Sequence, residues 1–300
     1  MKTKTYLFAL MTIALTLGSC SDNENGIGGE TSKYITVSTN IGSMTRVATD
    51  EKGGQTFEEG DEISVYAWTG DATVAPETRE RVVNNAINKL TNGSWISNPQ
   101  MLWKNNRDKH YFIGVYPISA ISDLTAGEYT FDVNKQTESD LLVAVNPDGL
   151  SYSADAQQTV PLTFTHVMAK LAVKLTYKNQ WGGIPTVEKV VVGNAAKEAT
   201  INYLTKVVTP STTAKEDFSL PEITENTKYV SVIIPQEDVK QLTIVIGGKN
   251  FVYDNGTPFK LESGKITTVN LEVGRDEIKL GDVKITDWEN GSTFSGEALN

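Results

Sequence analysis

The sequence is poor in the residues that disulfides, metal centres and nucleic-acid interfaces require. It holds one cysteine and two histidines. A single cysteine forms no internal disulfide, and without an HExxH motif or a cysteine cluster a transition-metal site or cofactor has little support. Acidic residues outnumber basic ones, 37 to 27. This balance argues against nucleic acid as a partner, since such binding neutralises phosphates with clustered Lys and Arg.

Long apolar runs are also scarce, and the one that exists is near the start of the chain. It covers Tyr6–Leu17, comes after Lys2 and Lys4, and ends just before Gly18 and Ser19. The run is shorter than the roughly 20 residues that a membrane-spanning helix needs. A basic start, a short apolar run and small residues are typical of a secretory signal, so residues 1–19 are predicted to be a signal peptide.

Cys20 indicates that the exported chain is lipidated. Leu17-Gly18-Ser19-Cys20 resembles the lipobox of bacterial lipoproteins, in which the cysteine becomes the acylated first residue. Several acyl chains would anchor the protein stably. Residues 20–32 are polar and glycine-rich, which predicts a lipidated flexible tether. Their acidic start resembles signals that send lipoproteins to the cell surface, so we expect an outer-membrane location.

From Lys33 onward the pattern is that of β-strands. Tyr34–Ile41 alternates Ile35, Val37 and Ile41 with polar residues, as a half-buried strand does. Glu77–Leu90 fits a helical stripe only loosely, so strand or irregular structure is favoured there. Further strands are expected at 62–68, 111–116, 141–145, 160–164, 169–177, 188–192, 229–234, 242–246, 250–253, 265–273 and 281–285. The spacing predicts an all-β protein with two sandwich domains, residues 33–158 and 159–300.

The search for catalytic chemistry yields no site, and no enzyme activity is expected. His166 lies in an apolar stretch and is interpreted as structural, whereas His110 is interpreted as part of a solvated loop. Gly247-Gly248-Lys249 lacks the spacing of a phosphate loop and predicts a hairpin. Five tryptophans could stack on sugars, although most tryptophans in a β-sandwich pack in its core.

Several motifs, in one order, resemble those of the fimbrillin family, the Mfa-like subunits of type V pili. The first is Phe57–Val65, which fits F-x-x-G-D-x-I-x-V. The others are an aromatic strand ending in Tyr-Pro (111–117), a Q…D-L-L-x-A segment (136–144), an L-x-F-x-H-x-x-A-K-L junction (162–171), a late G-K strand (263–271) and a terminal I-x-x-W-x-x-G (285–291).

This resemblance implies two transthyretin-like β-sandwich domains in tandem and assembly by strand exchange with other pilin subunits. A trypsin-like surface protease would cut between Arg46 and Val47. The strand that carries Ile35, Val37 and Ile41 would leave, and a neighbour's strand would replace it. A tail with Phe294 and Leu299 is the candidate donor.

The resemblance leaves the role of the subunit open between stalk, tip and anchor, and it does not identify the adhesion target. The alternative function is a surface-anchored glycan-binding lipoprotein that stays uncut and binds sugar through exposed tryptophans.

Overall fold

A computed structural model describes residues 33–42, 56–153, 158–254 and 256–288. Cys20, Arg46, Val47, Phe294 and Leu299 lie outside the described residues, so the interpretations of these five positions stay predictions. Within the described ranges, no helix is long and apolar enough to cross a membrane.

The regular secondary structure of the described residues is almost entirely β-strand, which confirms the predicted all-β class. Two short 3-10 turns cover Thr78–Glu80 and Asn179–Trp181. The strands in chain order are β1 (Thr36–Ile41), β2 (Glu62–Thr69), β3 (Val83–Thr91), β4 (Ser94–Asn98), β5 (His110–Tyr116), β6 (Gly127–Thr130), β7 (Leu142–Leu150), β8 (Thr159–His166), β9 (Ala169–Tyr177), β10 (Val187–Ala196), β11 (Glu198–Asn202), β12 (Val207–Pro210), β13 (Lys215–Ser219), β14 (Glu222–Thr224), β15 (Lys228–Ile233), β16 (Gln241–Ile246), β17 (Lys249–Asp254), β18 (Lys265–Val273) and β19 (Ile278–Asp287).

A seven-stranded sheet with the order β1-β8-β7-β5-β2-β3-β4 contains the first strands of the chain. Its central strands β2 and β5 are buried on both faces. Ile63, Val65 and Phe112 point into one apolar cluster, whereas Tyr66 and Ile113 belong to a second, larger cluster. Because neighbouring side chains alternate between the faces of a strand, both faces of this sheet need a cover.

The larger cluster fills a β-sandwich in the second half of the chain. A five-stranded sheet, β14-β15-β9-β18-β19, and a four-stranded sheet, β13-β10-β16-β17, both contribute to it. Leu171 and Val269 come from the first of these sheets, and Val192 and Ile244 come from the second. Two sheets that share one core in this way form a β-sandwich.

The predicted division into domains at residues 158 and 159 stays a prediction. Strand β8 pairs with β1 and β7 in the seven-stranded sheet, although the predicted boundary placed it in the second domain. Strand β6 forms a three-stranded sheet with β11 and β12. The larger apolar cluster also includes Tyr66 and Trp68 from the first half. The two predicted domains therefore share both strand pairing and core.

The hairpin predictions agree with the backbone. Asn92 and Gly93 have φ of 51° and 73°, and Gly247 and Gly248 have φ of 57° and 71°. Two successive positive φ angles are the geometry of the tight turns that match strand twist. Gly247 and Gly248 thus form the turn of a hairpin between β16 and β17, as expected, and Lys249 begins β17. Glu77–Leu90 forms a short 3-10 turn followed by strand β3.

The interpretation of His110 as part of a solvated loop was wrong. Its side chain is completely buried at the start of β5. Nε2 accepts the backbone N–H of Lys104 at 3.0 Å, and Nδ1 lies 3.1 Å from the carbonyl oxygen of Asp108, which it can bond only as an N–H donor. These two bonds define a neutral imidazole, and burial lowers the pKa of His110. The polar run before it is exposed, but the strand begins one residue earlier than predicted.

His110 should make the fold sensitive to mild acid. The unfolded chain takes up the His110 proton near pH 6.5, whereas the folded chain resists it because the pKa is lowered. Stability should therefore fall as the pH drops below about 6.5. Denaturant unfolding of wild type and His110→Gln at pH 7.5 and 5.5 measures this. We expect a smaller acid loss in the variant, and equal losses would contradict it.

Candidate functional site

The strand β1 lies at one end of the seven-stranded sheet and pairs in parallel with β8. The pairing runs from Thr36 opposite Thr159 to Ile41 opposite Phe164. Its inward face is apolar, since Ile35 and Val37 are only 2% and 6% exposed. Parallel pairing is slightly less stable per residue than antiparallel pairing. A short parallel strand at the end of a sheet is therefore among its more separable parts.

On its other side, β1 borders a groove that separates it from β4, the opposite end of the same sheet. The groove has a volume of about 590 Å³, and β1 and β4 residues line its walls. Trp95 Nε1 donates a hydrogen bond across the groove to Thr39 Oγ1 at 2.9 Å. Near one end, the Ile35 N–H donates to the Met101 carbonyl oxygen at 2.9 Å. These contacts bring the two ends of the sheet together.

The floor of the groove is an aromatic cluster centred on Phe57. The Phe57 ring centroid lies 5.3 Å from that of Trp95, 5.4 Å from that of Tyr116 and 5.1 Å from that of Phe164. All three contacts are edge-to-face, the geometry that aromatic quadrupoles favour. Val37 of β1 belongs to the same apolar cluster as Phe164, and Ile41 and Phe57 both pack against that cluster, so β1 forms part of this core.

Hydrogen bonds hold the residues that directly follow Phe57. The carboxylate of Glu59 accepts the backbone N–H groups of Asn92 and Gly93 at 2.8 and 2.6 Å, so it holds the β3–β4 turn. Gly60 has φ of 97°, a conformation that favours glycine. Burial, with a contribution from the neighbouring Asp61 carboxylate, raises the pKa of Tyr116 to about 12. The F-x-x-G-D motif thus belongs to the floor, not to the strand above it.

The structure places the predicted displaced-strand residues together on the inner side of β1. Ile35 and Val37 are buried, and Ile41 packs against the same cluster. Ile41 and Thr56 stand on either side of the undescribed residues 43–55, and both border the groove. No sequence pattern indicated the groove itself, because its two walls are separated by more than 50 residues.

A second cluster joins three motifs that are far apart in sequence. His166 Nδ1 lies 2.8 Å from Asp140 Oδ1, and its ring stacks on Trp288 with centroids 4.0 Å apart and planes 8° apart. The Lys170 ammonium lies 4.0 Å from the centroid of the Trp288 ring, and burial lowers the pKa of this lysine. His166 is buried, in agreement with the structural role predicted for it.

Trp288 is the last described residue, directly after β19. Its backbone N–H donates to the Gly264 carbonyl oxygen at 2.9 Å, and its side chain is only 5% exposed. The point from which residues 289–300 continue is thus held by stacking, a cation–π contact and a backbone bond. Sequence reasoning treated His166 and Trp288 separately and missed this contact.

The tryptophans, all five of which lie in the described ranges, bear on the glycan-binding alternative. Trp68 and Trp288 are buried, and Trp95, Trp103 and Trp181 are half-buried against the apolar clusters. None of the five therefore has a largely exposed ring.

The chain belongs to the fimbrillin-like family, whose model matches residues 45–288. Comparison with curated proteins finds no significant match.

Solved structures share the fold. A candidate cell adhesion protein from Bacteroides ovatus is 19% identical with a TM-score of 0.62, covering 85% of this chain and 98% of its own. A candidate cell adhesion protein from Bacteroides uniformis is 18% identical with a TM-score of 0.56, and the match covers 86% of this chain and 100% of that protein. A fimbrial protein from Bacteroides vulgatus is 13% identical with a TM-score of 0.50, and the match covers 75% of this chain and 92% of that protein. Identities this low show the fold alone.

Trp288 should contribute strongly to stability. Replacing it with Ala removes a buried ring between His166 and Lys170, and we expect the free energy of unfolding to fall by about 3 kcal/mol. Trp288→Phe keeps an aromatic ring and should lose about half as much. Urea denaturation followed by circular dichroism measures both. A Trp288→Ala protein as stable as wild type would show that the cluster is not part of the stabilising core.

Proposed function

We propose that this protein is a fimbrial subunit that assembles by exchanging strand β1 for a strand of a neighbouring subunit and supports adhesion. Its export as a lipoprotein acylated at Cys20, and its activation by cleavage after Arg46, are part of the same proposal. Membership of the fimbrillin-like family and the fold shared with fimbrial and candidate adhesion proteins support the fimbrial role.

The position of β1 is the observation that carries the exchange mechanism. The strand is short, its one ladder among the described strands is the parallel one with β8, and it lies beside an open groove. Its removal would expose the apolar floor around Phe57 and the unpaired edge of β8. Fully burying a side chain such as Ile35 or Val37 is worth about 1.5–3 kcal/mol. The site that β1 vacates therefore favours a replacement strand with apolar side chains at the same positions.

Cleavage at the Arg46–Val47 bond would divide the chain between β1 and the floor of the groove. Ile41 precedes and Thr56 follows the undescribed residues 43–55, so a cut there frees β1 without cutting another described strand. Cys20 and its lipid would leave with β1. Phe57 stays in the remaining chain, where it packs against three aromatic rings.

Once β1 has left, the edge of β8 is unpaired, and an unpaired edge promotes aggregation. An incoming strand that pairs with β8 removes this hazard. Main-chain bonds then supply affinity, and alternate side chains set the register. Residues 289–300, which carry Phe294 and Leu299, continue from the fixed Trp288 and are the proposed donor to a neighbour's groove.

The partners proposed are therefore other pilin subunits, a trypsin-like surface protease and, before processing, the outer membrane through the lipid. The protein has no proposed enzyme activity, cofactor or nucleic-acid partner.

Replacement of Arg46 tests the activation step. We expect Arg46→Ala to fold normally but to stay out of fibres, because β1 remains covalently attached. Arg79→Ala is the matched control, since Arg79 is an exposed arginine outside the groove. Surface protein from cells that express each variant is examined by intact mass, N-terminal sequencing and SDS-resistant oligomer ladders. Wild type and control should begin at Val47 and form ladders, whereas normal ladders from Arg46→Ala would refute cleavage-dependent assembly.

A further inference from the structure

Besides its apolar floor, the groove has a hydrogen-bond donor that needs an acceptor from the strand beside it. The Trp95 indole N–H is a donor only, and its partner is Thr39 Oγ1 at 2.9 Å. The Trp95 ring is half-buried against Phe57, which limits access of water to the N–H group. When β1 leaves, this donor loses its acceptor. An incoming strand that offers none would leave it unpaired in a partly dry site.

The other inward positions of β1 are apolar. Ile35 and Val37 are buried, and Ile41 packs against the same cluster, whereas Ser38 and Asn40 are exposed. The main chain adds a fixed orientation, because β1 runs parallel to β8 and the Ile35 N–H donates to the Met101 carbonyl oxygen. A replacement strand must meet these sites in the same order.

On this basis, and resting on the proposed function, we propose that the groove selects its partner strand by a side-chain acceptor opposite Trp95. The preferred strand lies parallel to β8. It carries apolar side chains at the Ile35 and Val37 positions, a hydroxyl or other hydrogen-bond acceptor at the Thr39 position, and an apolar side chain at the Ile41 position.

Residues 289–300 of a second copy do not offer this pattern. Phe294 and Leu299 are five residues apart, so they point to opposite faces of an extended strand. With Phe294 at the Val37 position, the Ile35 position receives Ser292 and the Thr39 position receives Gly296. The occupant we assign is therefore a strand of the stated pattern from a different subunit, while residues 289–300 remain available to another groove.

Peptide binding to the cleaved protein tests this assignment. The full chain is cut by limited trypsin, and the released segment is removed in mild denaturant. A fluorescent peptide with the sequence of residues 34–42 is then titrated by anisotropy against a peptide with Val in place of Thr39. Valine has the shape of threonine and a high strand propensity but accepts no hydrogen bond, so a loss of affinity reports the acceptor.

We expect the threonine peptide to bind about tenfold more tightly, about 1.4 kcal/mol. In Trp95→Phe protein, which lacks the N–H donor, the two peptides should bind equally. A peptide of residues 289–300 should not compete. If Trp95→Phe does not fold, the comparison of the two peptides on the wild-type chain still tests whether the groove requires an acceptor at the Thr39 position.

The outcomes separate the two proposals. Equal binding of the threonine and valine peptides to the wild-type groove would overturn the acceptor requirement and leave strand exchange intact. Tight binding of the 289–300 peptide would overturn the assignment of the partner to a different subunit. Failure of the threonine peptide itself to bind would show that no accepting groove forms, which would overturn both the acceptor proposal and the strand-exchange function.

Discussion

The parallel pairing of β1 with β8 is the contact that completes the smaller apolar core of the seven-stranded sheet. The central strands β2 and β5 are buried on both faces, so the sheet cannot leave either face open to water. The larger core covers one face. On the other, Val37 of β1 and Ile35 just before it belong to the smaller cluster, against which Phe57 packs. A strand held by one parallel ladder thus completes a core whose other walls are held by antiparallel pairs.

The second cluster shows why widely separated motifs occur together in one chain. Asp140 holds His166, whose ring stacks on Trp288, and Lys170 lies over the same tryptophan. Each residue alone is an ordinary polar or aromatic position. Together they fix the end of β19, where residues 289–300 begin. In the proposed mechanism, strand exchange would act at two places: the groove beside β1, and the anchored start of the C-terminal segment.

The sequence was informative where one face of a strand is buried, because alternation of apolar and polar residues then marks the strand. β1, β9 and β18 were predicted in this way. Short exposed strands such as β6 and β12 escaped, since they carry too few apolar side chains to produce a pattern. His110 was misinterpreted because its polar neighbours dominate the local composition, although its own side chain is buried and bonds to the backbone of Lys104 and Asp108. The groove could not be predicted, because Thr39 and Trp95 meet only when the sheet brings its two ends together.

A reversible covalent lock on β1 tests the central claim most directly. Thr36 and Thr159 are partners in the parallel ladder, and their hydroxyl oxygens are 3.1 Å apart. Neighbouring strands lie within the Cα separation that a disulfide accepts, so Thr36→Cys with Thr159→Cys can staple β1 to β8. After cleavage at Arg46, oxidised and reduced samples are mixed with the other pilin subunits, and the incorporation of this protein into SDS-resistant oligomers is compared. If β1 must leave for assembly, the oxidised protein stays monomeric and reduction restores oligomer growth. Equal oligomer growth in both states would contradict strand exchange at this site, because β1 would then have no need to leave.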